Sequence, residues 1–521
     1  MGVIKPGALH PVPPAPIKAL PCLCIFPPMT EKSKPPALRV VGDSSKSAGA
    51  HVLKTMIQID TKIFPKSRGA YIVGGAIRDI LCGRPPLDYD VAVVPDPVEF
   101  ARQVANNTNG HLVEIGKPGQ EIIRVVAKET MIDISKAKGG SIEDDLQARD
   151  FSINAMAYDL FSHQLIDPLG GQPDLARKTI RMVSKGIFNQ DPIRLLRAFR
   201  MAAVLQFDIE SHTKSAIERH AGLIQQSAGE RVREELFKML QSTKSHHYLC
   251  QLADTGLLFA TLPELAELKQ CRQNRFHQFD VLEHTLRAYY HLERLLDSSS
   301  DQALLTVKGA PLAYRIAESR RPLLKFSILL HDIGKPTVQT ADRDGNIHFY
   351  GHERQSAQMA EAICKRLKCS IRDADSICFL VRHHTRPLSL FRALKAQNAD
   401  PRAITRFFIK CAEHTGELLM CATADMLAKE KAQNDRSRAF IKFVNQLVAE
   451  FETDFKPKKS MLPLISGHDL KNNFGLKPSP LFKKILDRLE EERLSRSDMT
   501  RQDALALVRK LINNRESTGD R

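Results

Sequence analysis

Apolar and polar positions change rhythm along this chain near residue 180. From His51 to that point, short apolar runs alternate with amphipathic stretches. HVLKTMIQIDTKIF (51–64) has helical spacing, YIV (71–73) and VAVV (91–94) read as strands, and PVEFARQVANNT (97–108) reads as a capped amphipathic helix. HLVEI, EIIRVVAK and TMIDIS read as three further strands. The pattern predicts a small mixed sheet with flanking helices over residues 51–180. Beyond Asp191 apolar residues recur at i, i+3 and i+4 with little interruption, so the rest is predicted helical and the whole chain α+β. Residues 1–50 are rich in Pro, Lys and Ser, show no amphipathic period and read as a mobile tail. Within them Met29, opening MTEKSKPP, is a candidate for the true start of translation.

A length of 521 residues, 43% hydrophobic and 26% charged, leaves room for several ordinary globular cores. The formal charge of +16 adds more: clustered Lys and Arg gain affinity by displacing counterions from phosphates, so a polyanionic partner is expected. The ten cysteines include no C-x-x-C pair, which argues against a zinc cluster or disulfide framework and for a reducing, cytoplasmic setting. No apolar run reaches the roughly 20 residues that span a bilayer, so no membrane partner is expected.

The chemistry concentrates first in Tyr71–Val91, YIVGGAIRDILCGRPPLDYDV. A strand leads to a Gly-Gly turn, a helix, a Pro-marked loop and two aspartates at i and i+2. Alternate residues of a strand share a face, so Asp88 and Asp90 are expected to project together and hold Mg²⁺, a hard cation that takes oxygen ligands. Gly74 and Gly75 let the backbone approach a phosphate near a helix start, and Arg78 adds a charged fork. A lone D-x-D or Gly-Gly means little. G-G-x-x-R-D with D-x-D nine residues later is far more specific.

This segment resembles the nucleotidyltransferase head of class II tRNA CCA-adding enzymes and bacterial poly(A) polymerases, a polymerase-beta-like fold. Further stretches carry the resemblance in order. Arg149 to Ala155, RDFSINA, is similar to the family's R-R-D-F-T-I-N-A, with Ala148 for the first arginine and Ser152 for the threonine. Asp167-Pro168, Gly170-Gly171 and Asp174-Leu175 follow. Gln190-Asp191-Pro192-Ile193-Arg194 resembles the base-reading E-D-x-x-R, with Gln190 for the glutamate. Glu230-Arg231-Val232 and Glu234-Glu235-Leu236 resemble its last motif. The resemblance implies attack of an RNA 3′-hydroxyl on the α-phosphate of CTP or ATP, with tRNA as the RNA and Asp88 and Asp90 as Mg²⁺ ligands. Arg149, Asp150 and Asn154 would contact ribose and triphosphate. Asp191 and Arg194 would present hydrogen-bonding edges to the incoming base. Asp191, Arg194, Arg197 and Arg200 are expected along one side of a helix, with Arg197 and Arg200 as further nucleotide-binding candidates. Asp133, in TMIDIS, is a further candidate carboxylate.

A second set of residues occupies 276–430. LLKFSILLHDIGK places His331 and Asp332 at the end of an apolar helix, and imidazole with carboxylate suits divalent transition metals. The order of His284, His331-Asp332 and Asp425 resembles the HD phosphohydrolases. That resemblance implies a metal on these four, with His352, His383 and His384 as outer or phosphate-contacting groups. The stretch from Leu462 resembles the helical module that follows such a domain, where Lys471, Lys477, Lys483 and Lys484 either meet tRNA phosphates or line a solvated helix face. The expected division is a tail at 1–50, a head at 51–180, a helical neck at 181–268, an HD-type domain at 269–455 and a C-terminal module at 456–521.

Two rival readings stay open. A poly(A) polymerase would use the same head, but the bacterial poly(A) polymerases that the segment resembles lack an HD-type domain. An HD phosphohydrolase with an RNA-binding head would not need Asp88 and Asp90. Specificity has its own signal. Full CCA-adding relatives carry a flexible loop, often with Tyr, Arg and Pro, before R-D-F-T-I-N-A. Here TMIDIS runs into KAKGGSIEDDLQARD, which leaves little reach for a switch between CTP and ATP. The expectation is CC addition first and A addition second.

Overall fold

The computed structural model describes residues 59–516 apart from 61, 117–120, 129, 274–278, 298–302, 430–432 and 497. The predicted tail, Met29 and most of the predicted 51–64 helix lie outside the described residues. The described end of that helix makes a turn in which the Asp60 carbonyl accepts from the Ile63 and Phe64 amides.

Strand β1 (Ala70–Val73) leads into helix α1 (Gly75–Leu81), then β2 (Asp88–Val93), α2 (Val98–Thr108), β3 (His111–Ile115), β4 (Ile122–Val126) and β5 (Met131–Lys136). Two short strands follow, β6 (Ala157–Asp159) and β7 (Leu165–Ile166). They complete a mixed sheet in the order β3-β4-β5-β2-β1-β6-β7, with β2 and β5 parallel and the other pairs antiparallel. The sequence pattern does not show β6 and β7. Two or three residues carry no period of their own, and pairing with β1, Tyr71 against Asp159, makes them strands.

Alternation sorts the sheet into two faces. Val91, Val93, Val125, Ile132 and Ile134 pack under Ala76 and Ile77 of α1 and Phe100, Ala101 and Val104 of α2. On the other face Val73 and Ala92 pack with Ile142 and Leu146 of α3 (Ile142–Gln147). Further along that face the sheet is open, and there the β2 aspartates project.

After Asp191 the described chain is helical, as expected, except for short two-stranded ladders such as Thr340–Ala341 with Ile347–His348. The helices on either side of residue 268 share one core, which also takes in Phe151 and Leu494. The helices Gly467–Phe474, Pro480–Ser495 and Arg501–Glu516 gather around Leu470, Ile485, Leu489 and Val508. No described helix is long and apolar enough to cross a membrane.

Candidate functional site

The carboxylates of Asp88 and Asp90 have no hydrogen bond or ion pair from any described side chain or amide, which fits groups kept for a cation. Val73 is the register partner of Asp90, so the Gly-Gly turn begins beside that carboxylate. Gly74 has a φ of +72°, and a Cβ there would stand 2.7 Å from Arg149 Nη1 and 3.4 Å from Asp90 Oδ2. The positive φ favours glycine, and a Cβ would also displace the Arg149 guanidinium from the turn. Surrounding protein raises the Asp90 pKa, Arg149 lowers it, and Asp133, Asp88 and Asp145 raise it again, with a net shift upward. Although Asp90 is exposed to water, it sits in an acidic cluster that a bound cation would relieve.

Asp133 is the register partner of Asp90, but both its oxygens are held by Arg124, at 2.7 and 2.8 Å. Arg149 is tied by Nε to Asp145, 3.0 Å away. Arg78 Nη1 donates to Asn154 Oδ1 at 2.8 Å, and Asn154 Nδ2 donates to Asp150 at 3.0 Å. Asp150 also accepts from the Phe151 amide and from Arg197 Nη1. Burial pushes its carboxyl up, but Arg197 and these hydrogen bonds outweigh it and hold the carboxyl below the usual range.

One expectation is corrected. The helix bearing Arg194, Arg197 and Arg200 runs from Arg194 to Leu205, and Asp191 precedes it with extended φ and ψ of −150° and 98°. Pro192 disfavours the helical region for the residue before it. Asp191 is instead positioned by Arg231, which donates to both its oxygens at 2.9 and 2.8 Å. Arg194 Nη2 donates to the Ala148 carbonyl at 3.0 Å, Gln190 Oε1 lies 3.4 Å from Nη1, and the buried Nε has no partner among the described residues. Arg197 and Arg200 both grip Glu235, at 2.9 and 2.8 Å.

In the second set, the helix Val281–Leu296 brings His284, the end of Arg321–Leu330 brings His331 and Asp332, and Thr415–Ala428 brings Asp425. All four are buried. His284 Nε2 lies 3.1 Å from Asp425 Oδ1 and 3.4 Å from His331 Nε2, and His331 Nε2 lies 3.1 Å from Asp332 Oδ2. His352 and His384 approach the other oxygen of Asp332, at 3.3 and 3.7 Å. His331, His352 and His384 each donate from Nδ1 to a carbonyl, of Ile328, Phe349 and Val381. A carbonyl only accepts, so each of these rings, when neutral, turns its Nε2 lone pair toward Asp332. Burial works to lower the pKa of His352, but Asp332 outweighs it and raises that pKa. Burial lowers the pKa of His284, and that of His384 to about 3, which keeps both imidazoles neutral. Two overlapping groups result, His284–His331–Asp332 and Asp332–His352–His384, each compact enough to hold a metal ion. His352 and His384 therefore stand as ligand candidates rather than outer groups. His383 stands apart, accepting from Arg386 Nε at 3.0 Å.

Residues 70–181 match the Poly A polymerase head domain, 206–269 the "Probable RNA and SrmB- binding site of polymerase A", and 281–407 the HD domain. The A-adding tRNA nucleotidyltransferase of Deinococcus radiodurans is 34% identical over 86% of this chain and 96% of its own length. The chain belongs to the tRNA nucleotidyltransferase family. The CC-adding tRNA nucleotidyltransferase of Thermus thermophilus is 30% identical over 85% of this chain and 94% of its own. A Thermotoga maritima CCA-adding enzyme solved with tRNA shares the fold, with a TM-score of 0.55 at 20% identity, over 85% of this chain and 91% of its own.

This tRNA nucleotidyltransferase also positions residues to which the sequence assigns no partner. Arg231 and Glu235 are four apart on the helix Gly229–Gln241, as are Asp145 and Arg149 across α3 and its end, and that spacing was the available signal. Their long-range partners had none. Glu235→Ala leaves Arg197 and Arg200 without their shared carboxylate, at an expected local cost of roughly 2–4 kcal/mol. Faster amide hydrogen exchange across 194–205 checks this, and unchanged exchange would mean Glu235 does not hold the helix.

Proposed function

We propose that this protein extends the 3′ end of tRNA, adding C or A residues of the CCA sequence from CTP and ATP, and that it is specialised for part of that sequence. The observation that carries the reading is the pair of unpartnered carboxylates on one strand face, with Arg149 packed over the Gly74 turn beside them. Asp88 and Asp90 would hold Mg²⁺, whose charge offsets that of the reacting phosphates. Arg149 and Arg78 hold the triphosphate, and Asp150 and Asn154 orient Arg78 and the ribose. Asp191, positioned by Arg231, accepts from the exocyclic amine of cytosine or adenine, and Arg194 donates from its guanidinium. Arg197 and Arg200 act behind them by fixing the helix through Glu235.

The proposed division is a head at 51–180, a neck at 181–268, an HD-type domain at 269–455 and a module at 456–521, where the exposed Lys471, Lys477, Lys483 and Lys484 meet tRNA phosphates. In the HD-type domain His284, His331, Asp332 and Asp425 would hold one divalent transition metal, and Asp332, His352 and His384 a second, for phosphoester hydrolysis.

The connection after β5 supports partial addition. Instead of a loop it forms α3, capped by Ser141 and seated in the core by Ile142 and Leu146. Asp145 in this helix also holds Arg149 and the Lys138 amide. A helix anchored on three sides does not swing to exchange CTP for ATP. CC addition is the first choice. The Deinococcus relative, named for A addition, favours A addition as the second.

Three tRNAs, ending before CCA, after C and after CC, are each incubated with CTP, ATP or both. CC addition predicts two C residues and no A. An A placed only on the CC-ended tRNA supports the second choice. A complete CCA end would sink the specialised reading, and no incorporation into any tRNA would sink the function. Arg194→Ala is expected to lose the preference for CTP over UTP with little change in triphosphate affinity. A retained preference would remove Arg194 from base reading.

A further inference from the structure

The open sheet face does not end at the two carboxylates. Met131 of β5 is the register partner of Asp88, Val126 of β4 that of Met131, and His111 of β3 that of Val126. The next row across the same strands is Asp90, Asp133, Arg124 and Val113. Registered partners project to one side of a sheet, and alternation sends Val125, Ile132 and Ile134 into the core on the other. Met131, Val126 and Val113 are 41, 39 and 44% exposed. Single exposed apolar residues are ordinary. Three on one face, adjoining reactive carboxylates and crossed by an arginine, form a surface with one charged edge.

Topology assigns the two flanks of β2. On its β1 flank stand the Gly74 turn and Arg149, the proposed place of the incoming nucleotide. The β5 and β4 flank is left for the other substrate, whose 3′-hydroxyl must reach the same carboxylates. An unpaired nucleotide has apolar base faces and a charged phosphodiester. Arg124 binds Asp133 through Nε and Nη2 and leaves Nη1 without a partner among the described residues.

We propose that this strip is the platform for the 3′-terminal nucleotide of the RNA. The base packs on Met131 and Val126, and Arg124 Nη1 donates to the adjoining phosphate. The inference rests on the proposed nucleotidyl transfer and names where its RNA substrate ends.

The test pairs kinetics with a cross-link in the full-length protein. Met131→Ser and Val126→Ser remove apolar contact at exposed positions. Together they are expected to raise KM for an end-lacking tRNA about tenfold, with KM for CTP and the circular dichroism spectrum unchanged. An unchanged tRNA KM, or equal rises in both KM values, overturns the platform. Separately, tRNA carrying a 3′-terminal 4-thiouridine is photo-cross-linked to the wild-type protein and the adduct mapped by mass spectrometry. Adducts within residues 122–136 support the platform, and adducts only elsewhere overturn it. The cross-link needs no turnover, so it judges the platform even if the wild type adds no nucleotide, a result that counts against the function reading instead.

Discussion

Asp90→Ala is expected to reduce nucleotide addition at least about 10³-fold while leaving tRNA binding and thermal stability close to wild type. Asp90 is at the middle of the acidic row, with Asp88 two residues before it on the strand and Asp133 beside it on β5. It is also the carboxylate that faces the Gly74 turn and Arg149. Its charge is costly in the free protein, as its raised pKa records, and no structural ion pair offsets that cost. Removing it should therefore not unfold the head. Asp88→Ala is expected to behave alike. Asp133→Asn should do less, because Arg124 already occupies both its oxygens. Incorporation of labelled CTP into an end-lacking tRNA, with tRNA affinity measured in parallel, checks all three. Near-normal incorporation by the Asp88→Ala, Asp90→Ala double variant would refute the site.

The parts legible in the sequence are those written in local periods. Strand alternation placed Asp88 and Asp90 on one face, and the apolar helix ending in His331-Asp332 placed those two residues in the buried cluster. Local reasoning also overreached. Counting in steps of three carried Asp191 into a helix that Pro192 prevents from beginning so early. The stretch KAKGGSIEDDLQARD looked like a short connection because its Gly pair dominates. Yet Ser141 caps a real helix there, and Ile142 and Leu146 find partners on β1 and β2 that no nearby residue reveals. The pairings of Arg231 with Asp191, and of Glu235 with Arg197 and Arg200, span 35 to 40 residues and exist only once the helices pack. In the second cluster, no local pattern separates His383 from His384. Adjacent residues on a helix point about 100° apart, so one faces Asp332 and the other Arg386.

Asp332 is where the second centre is most vulnerable. It is the residue common to both candidate metal groups, with one oxygen toward His331 and the other toward His352 and His384. Asp332→Ala is expected to empty both groups and to lower any metal-dependent phosphoester hydrolysis at least about 100-fold, since losing a ligand should cost no less than losing a group that merely orients one. Nucleotide addition in the head should persist. The alanine variant has a flaw. Lys335 is buried with its Nζ 2.7 Å from Asp332 Oδ2, and stripping away the carboxylate leaves that ammonium unpaired, at a cost of about 3–5 kcal/mol. Asp332→Asn keeps the shape but weakens the ligand, and His384→Ala should disturb only the group built on His352. Bound metal per chain, measured by elemental analysis after loading with Mn²⁺, Co²⁺ or Ni²⁺, separates the cases. A two-ion centre predicts about two per chain in the wild type, about one in His384→Ala and about none in Asp332→Asn. Equal, non-zero metal content in all three would mean that Asp332 and His384 hold no ion, and no metal even in the wild type would mean that the cluster holds its histidines for packing.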